Sequence, residues 1–265
     1  MDAAPDDNMG MCNGNDRSRR CRDDLLFAQP KCCWGDCPIC FLPQPYDIEK
    51  QVLTSCCSKM ICMGCFFANM IRGQGSLKHT CPFCRHPSPV TQAELDANIA
   101  KRLEVNDPVT MRKMGLVHYT KGDYAKALQY LTNAAGQGDA ASHYHLSSLF
   151  WHGKGVEKDI NTAVYHWEEA AIGGHPEARF KLGAHEWKFG SKERALKHFI
   201  IAAYLGEDTS MKALTKACAK GFLCKDDYAA ALRAYQAAVD AMKSPQREAA
   251  YKSTLSVGMG VIVLL

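Results

Sequence analysis

Residues 167–174 read WEEAAIGG, and the small residues of this stretch recur along the second half of the chain. Equivalent stretches are AAGQG at 134–138 and AAYLG at 202–206, whose closing glycines lie 36 residues before and 32 residues after the one at 174. A weaker copy without the glycine stands at 237–238. A period in the mid-thirties is typical of stacked helix pairs. The spacing therefore predicts an all-α helical-repeat solenoid over residues 109–244.

Each repeat has the pattern of two helices joined by a loop, most clearly in the second unit. Its first helix is predicted to end near Gly153, because glycine commonly terminates helices. Asp159 is placed to cap the second helix, in which Ala163 and Trp167 lie on one stripe. A single unit cannot bury its apolar face alone, so neighbouring units must stack.

Three motifs of these units resemble a known family. They are ARFKLG at 178–183, G-x-G-V-x-x-D at 153–159 and W-x-x-A-A-x-x-G at 167–174, and they look like Sel-like repeats, which are relatives of tetratricopeptide repeats. The first unit, at 116–135, looks more like a plain tetratricopeptide unit. The resemblance covers about half the chain and implies a concave face that binds protein partners.

Cysteines concentrate at the other end of the chain, where 12 of the 14 fall within the first 84 residues. Six of them form three C-x-x-C pairs, namely Cys37 and Cys40, Cys62 and Cys65, and Cys81 and Cys84. This spacing aims two thiolates at one ion, and zinc takes four such ligands in a tetrahedron. The acidic start of the chain indicates no secretory signal, so we expect a reducing compartment, cytoplasm or nucleus, and metal-bound thiols rather than disulfides.

The order of the pairs resembles a RING finger. The resemblance implies a first zinc site made of Cys37, Cys40, Cys62 and Cys65. It implies a second site made of Cys57, a histidine or cysteine two residues later, Cys81 and Cys84. Lys59 stands at that intermediate position, so here the chain departs from the family pattern.

Three alternatives remain for the missing ligand. Cys56 is adjacent to Cys57 and is a suitable donor, although neighbouring ligands demand a tight backbone. His79 lies two residues before Cys81 and offers an imidazole nitrogen. In the third alternative the second zinc is absent, and packing with hydrogen bonds holds that lobe together. We therefore expect two zinc ions, or one if the second lobe is degenerate. Two intertwined sites would substitute for a core that so short a segment cannot build.

The RING resemblance also implies a function. Many RING fingers are ubiquitin ligases that bind a ubiquitin-conjugating enzyme and work by orientation, without a nucleophile of their own. By resemblance, Ile39 is the aliphatic contact of the first zinc loop, Pro82 is the proline of the second loop, and Arg85 is the cation that clamps ubiquitin and its conjugating enzyme. Residues 66–72, FFANMIR, stand where the central helix belongs. The alternative is a non-catalytic adaptor or scaffold with a degenerate RING.

The rest of the sequence limits the remaining function classes. We find no nucleophile elbow, phosphate loop or H-E-x-x-H motif, so no catalytic residue is predicted. The net charge of +4 is mild, which argues against a nucleic-acid partner. The apolar end of the chain is about half as long as a membrane span requires, so no span is expected.

These observations divide the chain into five segments. Residues 1–30 are polar and predict a disordered leader. For residues 31–90 we predict the small α+β zinc-stabilised RING-like module. For residues 91–108 we predict a linker helix with a capping box at Thr91 and Glu94. The repeats of residues 109–244 follow, and residues 245–265 form a tail of unknown role.

Overall fold

The computed structural model describes residues 22–28, 31–45, 47, 50–72 and 80–257 of the 265-residue chain. In these parts, two short strands and twelve helices follow one another. A first helix, α1, covers residues 22–27. The other elements are β1 (Gln51–Leu53), β2 (Met60–Cys62), α2 (Met63–Arg72), α3 (Gln92–Glu104), α4 (Pro108–Thr120), α5 (Tyr124–Gly136), α6 (Ala140–His152), α7 (Ile160–Ile172), α8 (Pro176–Phe189), α9 (Lys192–Tyr204), α10 (Asp208–Ala219), α11 (Lys225–Ala241) and α12 (Pro245–Val257).

Helices α4 to α11 form the predicted solenoid of stacked antiparallel pairs. Glycines let the two helices of a pair approach closely. A Cβ on Gly115 would lie 2.8 Å from the Leu131 side chain across the α4–α5 contact, and a Cβ on Gly183 would lie 2.6 Å from Phe199 across the α8–α9 contact. The glycine of the ARFKLG motif is therefore a packing residue.

Side-chain caps define where the helices of the solenoid begin. Asp159 accepts backbone N–H groups of Asn161 and Thr162, as its position predicts, and Gly153 ends α6 with a φ of +66°. The capping box at Thr91 and Glu94 is also present at the start of α3. Such caps satisfy backbone donors that a helix leaves free at its first turn.

The cysteine-rich module contains one antiparallel pair of strands followed directly by α2. Its register places Gln51 opposite Cys62, Val52 opposite Ile61 and Leu53 opposite Met60. The small core consists of Ile61 and cysteines, with Val52 and Phe66 packed against it. Since so few apolar side chains are buried, this segment needs cross-links to hold its fold.

Residues 22–28 differ from the disordered leader expected over 1–30, because they form α1 on the surface of the solenoid. Leu26 is buried among Trp167, Ala171 and Leu182. The guanidinium of Arg179 donates to the carbonyls of Leu26 and Ala28, the latter at 3.3 Å. The apolar run LLF thus finds its partner in the repeats, a contact that local composition does not reveal. Residues 1–21 lie outside the described part.

The module packs against both ends of the solenoid. At the first repeat, the Arg112 guanidinium lies 5.1 Å from the Trp34 ring and pairs with Asp139 at 3.0 Å. At the other end, α12 packs against α2, where a Cβ on Gly64 would lie 2.9 Å from the Arg247 Cα.

Within the segment predicted as a tail, residues 245–257 form a docked helix, and 258–265 lie outside the described residues. No helix in the described ranges is long and apolar enough to cross a bilayer.

Candidate metal centre

The first cysteine cluster contains the four residues that the RING resemblance assigns to the first site. The Sγ atoms of Cys37, Cys40, Cys62 and Cys65 all lie within 4.8 Å of one another. The Sγ atoms of Cys40 and Cys62 are 3.8 Å apart. Strand β2 and the start of α2 position the second pair, while a turn after an isolated bridge positions the first.

The second cluster contains Cys56 as its fourth member. The Sγ atoms of Cys56, Cys57, Cys81 and Cys84 lie within 4.8 Å of one another. The separation is 3.8 Å between Cys57 and Cys81 and 3.3 Å between Cys56 and Cys84. Of the three alternatives left by the sequence, this arrangement favours the adjacent thiol.

Lys59 points elsewhere. Its side chain is exposed, and its Nζ lies 5.7 Å from the centre of the Phe83 ring. Its backbone completes the turn instead, since its carbonyl accepts the N–H and the hydroxyl of Thr54. His79, the second alternative, lies outside the described residues.

A left-handed residue follows Cys40, Cys57 and Cys84, each the last cysteine of its turn. Phe41, Ser58 and Arg85 have φ values of 56°, 54° and 58°. The N–H of Phe41 donates to the Cys37 carbonyl at 2.8 Å, and the N–H of Arg85 donates to the Cys81 carbonyl at 3.0 Å. This tight turn holds both thiols of a pair on one side. For residues other than glycine, the left-handed conformation costs on the order of 1 kcal/mol per residue. It persists only where surrounding contacts fix the backbone.

The donor sets fit zinc. With Zn–S bonds of about 2.3 Å, tetrahedral geometry places the sulfur atoms about 3.8 Å apart. One sulfur pair in each cluster has this separation of 3.8 Å, and the Cys56 and Cys84 sulfurs, at 3.3 Å, lie closer together. Four soft thiolates favour zinc over hard cations, and four protein ligands leave no position for a reactive water. Both clusters are thus able to hold a structural metal ion.

Backbone N–H groups donate to the sulfurs of the first cluster. The Cys62 N–H lies 3.4 Å from the Cys37 Sγ, and the Cys65 N–H lies 3.5 Å from the Cys62 Sγ. Burial raises the pKa of the Cys37 thiol, but the N–H groups of Cys62, Cys40 and Ile39 outweigh it and lower that pKa to about 7. Burial raises the pKa of Cys62 and Cys65.

Arg247 of α12 contacts the first cluster and was not predicted from the sequence. It is 9% exposed, and its Nη2 donates to the Cys40 Sγ at 3.3 Å. Nη1 donates to the carbonyls of Pro43 and Met242, each at 2.7 Å. Burial lowers the pKa of Arg247, but the sulfurs of Cys40 and Cys62 outweigh this and raise it. A cation here offsets the negative charge that four thiolates around one divalent ion would carry. Since 207 residues separate it from Cys40, no local pattern could reveal it.

The partner-contact residues implied by the resemblance lie on or beside the turns that hold the thiols. Ile39 is 36% exposed, Pro82 is half-buried and Arg85 is exposed. Two neighbouring aromatic residues were not singled out from the sequence: Phe41 is 78% exposed and Phe83 is 42% exposed. Helix α2 begins at Met63, so FFANMIR is helical as expected.

Comparison with known proteins bears on the second half of the chain. Residues 110–139, 140–175 and 176–207 match the Sel1 repeat family. Together these three matches span residues 110–207, more than a third of the chain. The prediction of Sel-like repeats is confirmed for these residues, and the first unit, interpreted as closer to a tetratricopeptide unit, is matched as a Sel1 repeat too. Sel1 repeats suggest a role in protein–protein interaction.

Solved structures of Sel1 repeat proteins resemble this one. A Sel1 repeat protein from Oxalobacter formigenes is 29% identical, with a TM-score of 0.50 over 66% of this chain and 71% of that chain. The c5321 protein, a protective antigen present in uropathogenic Escherichia coli strains that displays an SLR fold, is 18% identical, with a TM-score of 0.44 over 63% of this chain and 36% of that chain. Comparison with curated proteins gives no match. The interpretation of the cysteine-rich module rests on its geometry.

Proposed function

We propose that the protein is a RING-type ubiquitin ligase, or a component of one, in which the cysteine-rich module recruits a ubiquitin-conjugating enzyme and the Sel1 repeats bind a protein substrate. The observation that carries the proposal is the interleaving of the two clusters. The first takes Cys37 and Cys40 together with Cys62 and Cys65, while the second takes its pairs from positions 56–57 and 81–84. Such cross-bracing is the arrangement that the RING resemblance implies.

In this function the metal ions only hold the loops. Zinc, when bound, would supply structural cross-links and no reactive water. The chain's own residues would position the conjugating enzyme: Ile39 offers an aliphatic contact, Pro82 shapes the second loop, and Arg85 presents a guanidinium next to the last cysteine. Catalysis by orientation needs no nucleophile in the module.

A non-catalytic adaptor is the second candidate, and one contact favours it. Pro38, next to Ile39, lines a cavity together with Arg112 and Asp139 of the solenoid. The first repeat therefore lies beside the zinc loop that carries Ile39. In that case the module would act as a fixed spacer that completes a protein-binding scaffold.

A discharge assay separates the two functions. The full chain is mixed with a panel of conjugating enzymes charged with ubiquitin, and release of ubiquitin to free lysine is followed. We expect release by the wild type and its loss in Ile39→Ala and Arg85→Ala. The matched controls are Val105→Ala, an aliphatic residue that is 65% exposed, and Arg233→Ala, an exposed arginine of α11 outside the module.

Loss in both module variants with activity in both controls supports the ligase. Absence of release with every enzyme of the panel, from a folded and zinc-loaded protein, refutes it and leaves the adaptor. Equal activity of Arg85→Ala and Arg233→Ala would remove Arg85 from its proposed role.

A further inference from the structure

A groove lies in the second and third Sel1 repeats, outside the module. It has a volume of about 780 Å³ and lies between α6, α7 and α8. That volume is within the range of sites that hold several ligand side chains.

Aromatic rings form the floor of this groove. The ring centroids of Trp151 and Trp167 are 4.9 Å apart, and His185 lies 6.4 Å from each of them and 5.2 Å from Phe189. Phe189 is 64% exposed, and Ala184 beside it is also exposed. An exposed aromatic edge next to a small residue offers a place for an apolar side chain of a ligand.

Lysines surround the floor without carboxylates among the described residues that line it. Lys158, Lys181 and Lys188 all line the groove with exposed side chains. Glu157 and Asp159 flank Lys158 along the chain but do not line the groove, and Asp159 caps α7. Glu186 of α8 pairs with Arg194.

The helix ends do not cancel this charge. Helices α6 and α8 end beside the groove, since His152 and Phe189 line it. The last carbonyls of a helix carry about half a negative charge. Two such ends offset about one of the three lysine charges, so the side chains that line the groove keep a net positive charge.

We propose that this groove binds an acidic peptide segment that carries an aromatic or large aliphatic anchor. The anchor packs on Phe189 and the tryptophans, and the flanking carboxylates pair with Lys181 in the middle of α8 and with Lys188 in its last turn. This deepens the proposed function, because it names the class of protein substrate that the repeats select, and its role as a substrate site rests on that function. Peptide binding itself does not require ligase activity.

Binding is measured by fluorescence anisotropy on the full chain. The probe is a fluorescein-labelled peptide of Asp and Glu residues around a central Phe, and the reference probe has Asn and Gln in their place. We expect the acidic probe to bind at least about tenfold more tightly, and less tightly as salt increases. Equal binding of the two probes overturns the proposal.

Charge-reversal variants locate the site. Lys181→Glu with Lys188→Glu should weaken binding at least about tenfold, since two attractive contacts become repulsive. The matched control is Lys101→Glu with Lys225→Glu, two exposed lysines outside the groove that give the same change in net charge. Phe189→Ser should weaken binding several-fold. Melting temperatures verify that each variant is folded. Equal loss in both double variants overturns the proposal.

The same assay distinguishes two other occupants of the groove. Tighter binding of a labelled single-stranded oligonucleotide than of the acidic peptide would replace the proposal with a nucleic-acid site. Peptide binding seen only after Asp2, Asp6, Asp7 and Asp16 are changed to Asn would show that the chain's own acidic start occupies the groove. If the acidic peptide binds as expected but no ubiquitin is discharged, the proposal of a peptide-binding groove holds. The adaptor then replaces the ligase as the function of the protein.

Discussion

Replacing Arg247 by methionine should loosen the first cysteine cluster and the attachment of the module together. The side chain donates to the Cys40 Sγ and to the carbonyls of Pro43, Leu42 and Met242. Methionine keeps the volume but donates nothing, so three carbonyls lose this donor and the thiolates lose their cation.

The expected magnitude follows from these contacts. A single hydrogen bond to a charged group contributes about 1.5–3 kcal/mol, and the four are not additive. Removing one partner of a buried charged group typically costs about 3–5 kcal/mol. For a chain of this size each kcal/mol lowers the melting temperature by about 2–4 °C. We therefore expect a decrease of about 6–20 °C.

Zinc retention gives a second and independent readout. Loss of a group that contacts a metal ligand typically weakens metal binding by about 10–100-fold. Competition with a chromophoric chelator, combined with zinc stoichiometry by native mass spectrometry, should show one weakened site and one unchanged site. The matched control is Arg233→Met, an exposed arginine of α11. The reasoning is refuted if Arg247→Met has the melting temperature and zinc affinity of that control.

Two further predictions test the second cluster and the solenoid. Cys56→Ser should reduce the zinc count by one in native mass spectrometry, because its Sγ lies in the second cluster. Lys59→Ala should leave the count unchanged, and the reverse result would refute Cys56 as the fourth ligand and show that the site depends on Lys59. Gly183→Ala should lower stability by about 1–3 kcal/mol in urea unfolding, because its Cβ would lie 2.6 Å from Phe199. Gly136→Ala meets no atom within 4 Å and should be neutral or stabilising by up to about 1 kcal/mol; equal effects of the two alanines would contradict the packing argument.

The sequence reveals features that repeat or that cluster locally. The AAxxG stretches place the helix pairs, and the three C-x-x-C pairs account for six of the eight clustered thiols. At Lys59 the sequence leaves three alternatives, because spacing alone does not show that the turn after Thr54 directs both Cys56 and Cys57 toward one point. The structure supplies that direction.

Features that depend on distant contacts could not be predicted in this way. Three apolar residues at 25–27 are too few to indicate a stable helix, and α1 exists because the repeats bury Leu26. The left-handed turns at Phe41 and Arg85 carry no glycine to indicate them. Arg247 looks like any arginine of a polar helix until α12 is docked on the module.

The module contacts both the first repeat and α12, and these two contacts constrain how many repeats the chain can carry. In a free repeat array each repeat contacts only its neighbours, so the array bends along its length and tolerates the gain or loss of a unit. Here Trp34 meets Arg112 near one end while Cys40 meets Arg247 at the other, so the module contacts both ends of the array. Inserting or deleting a repeat would pull one of these anchor points away. The number of units is thereby fixed by geometry, and the curvature of the array is set before any partner arrives.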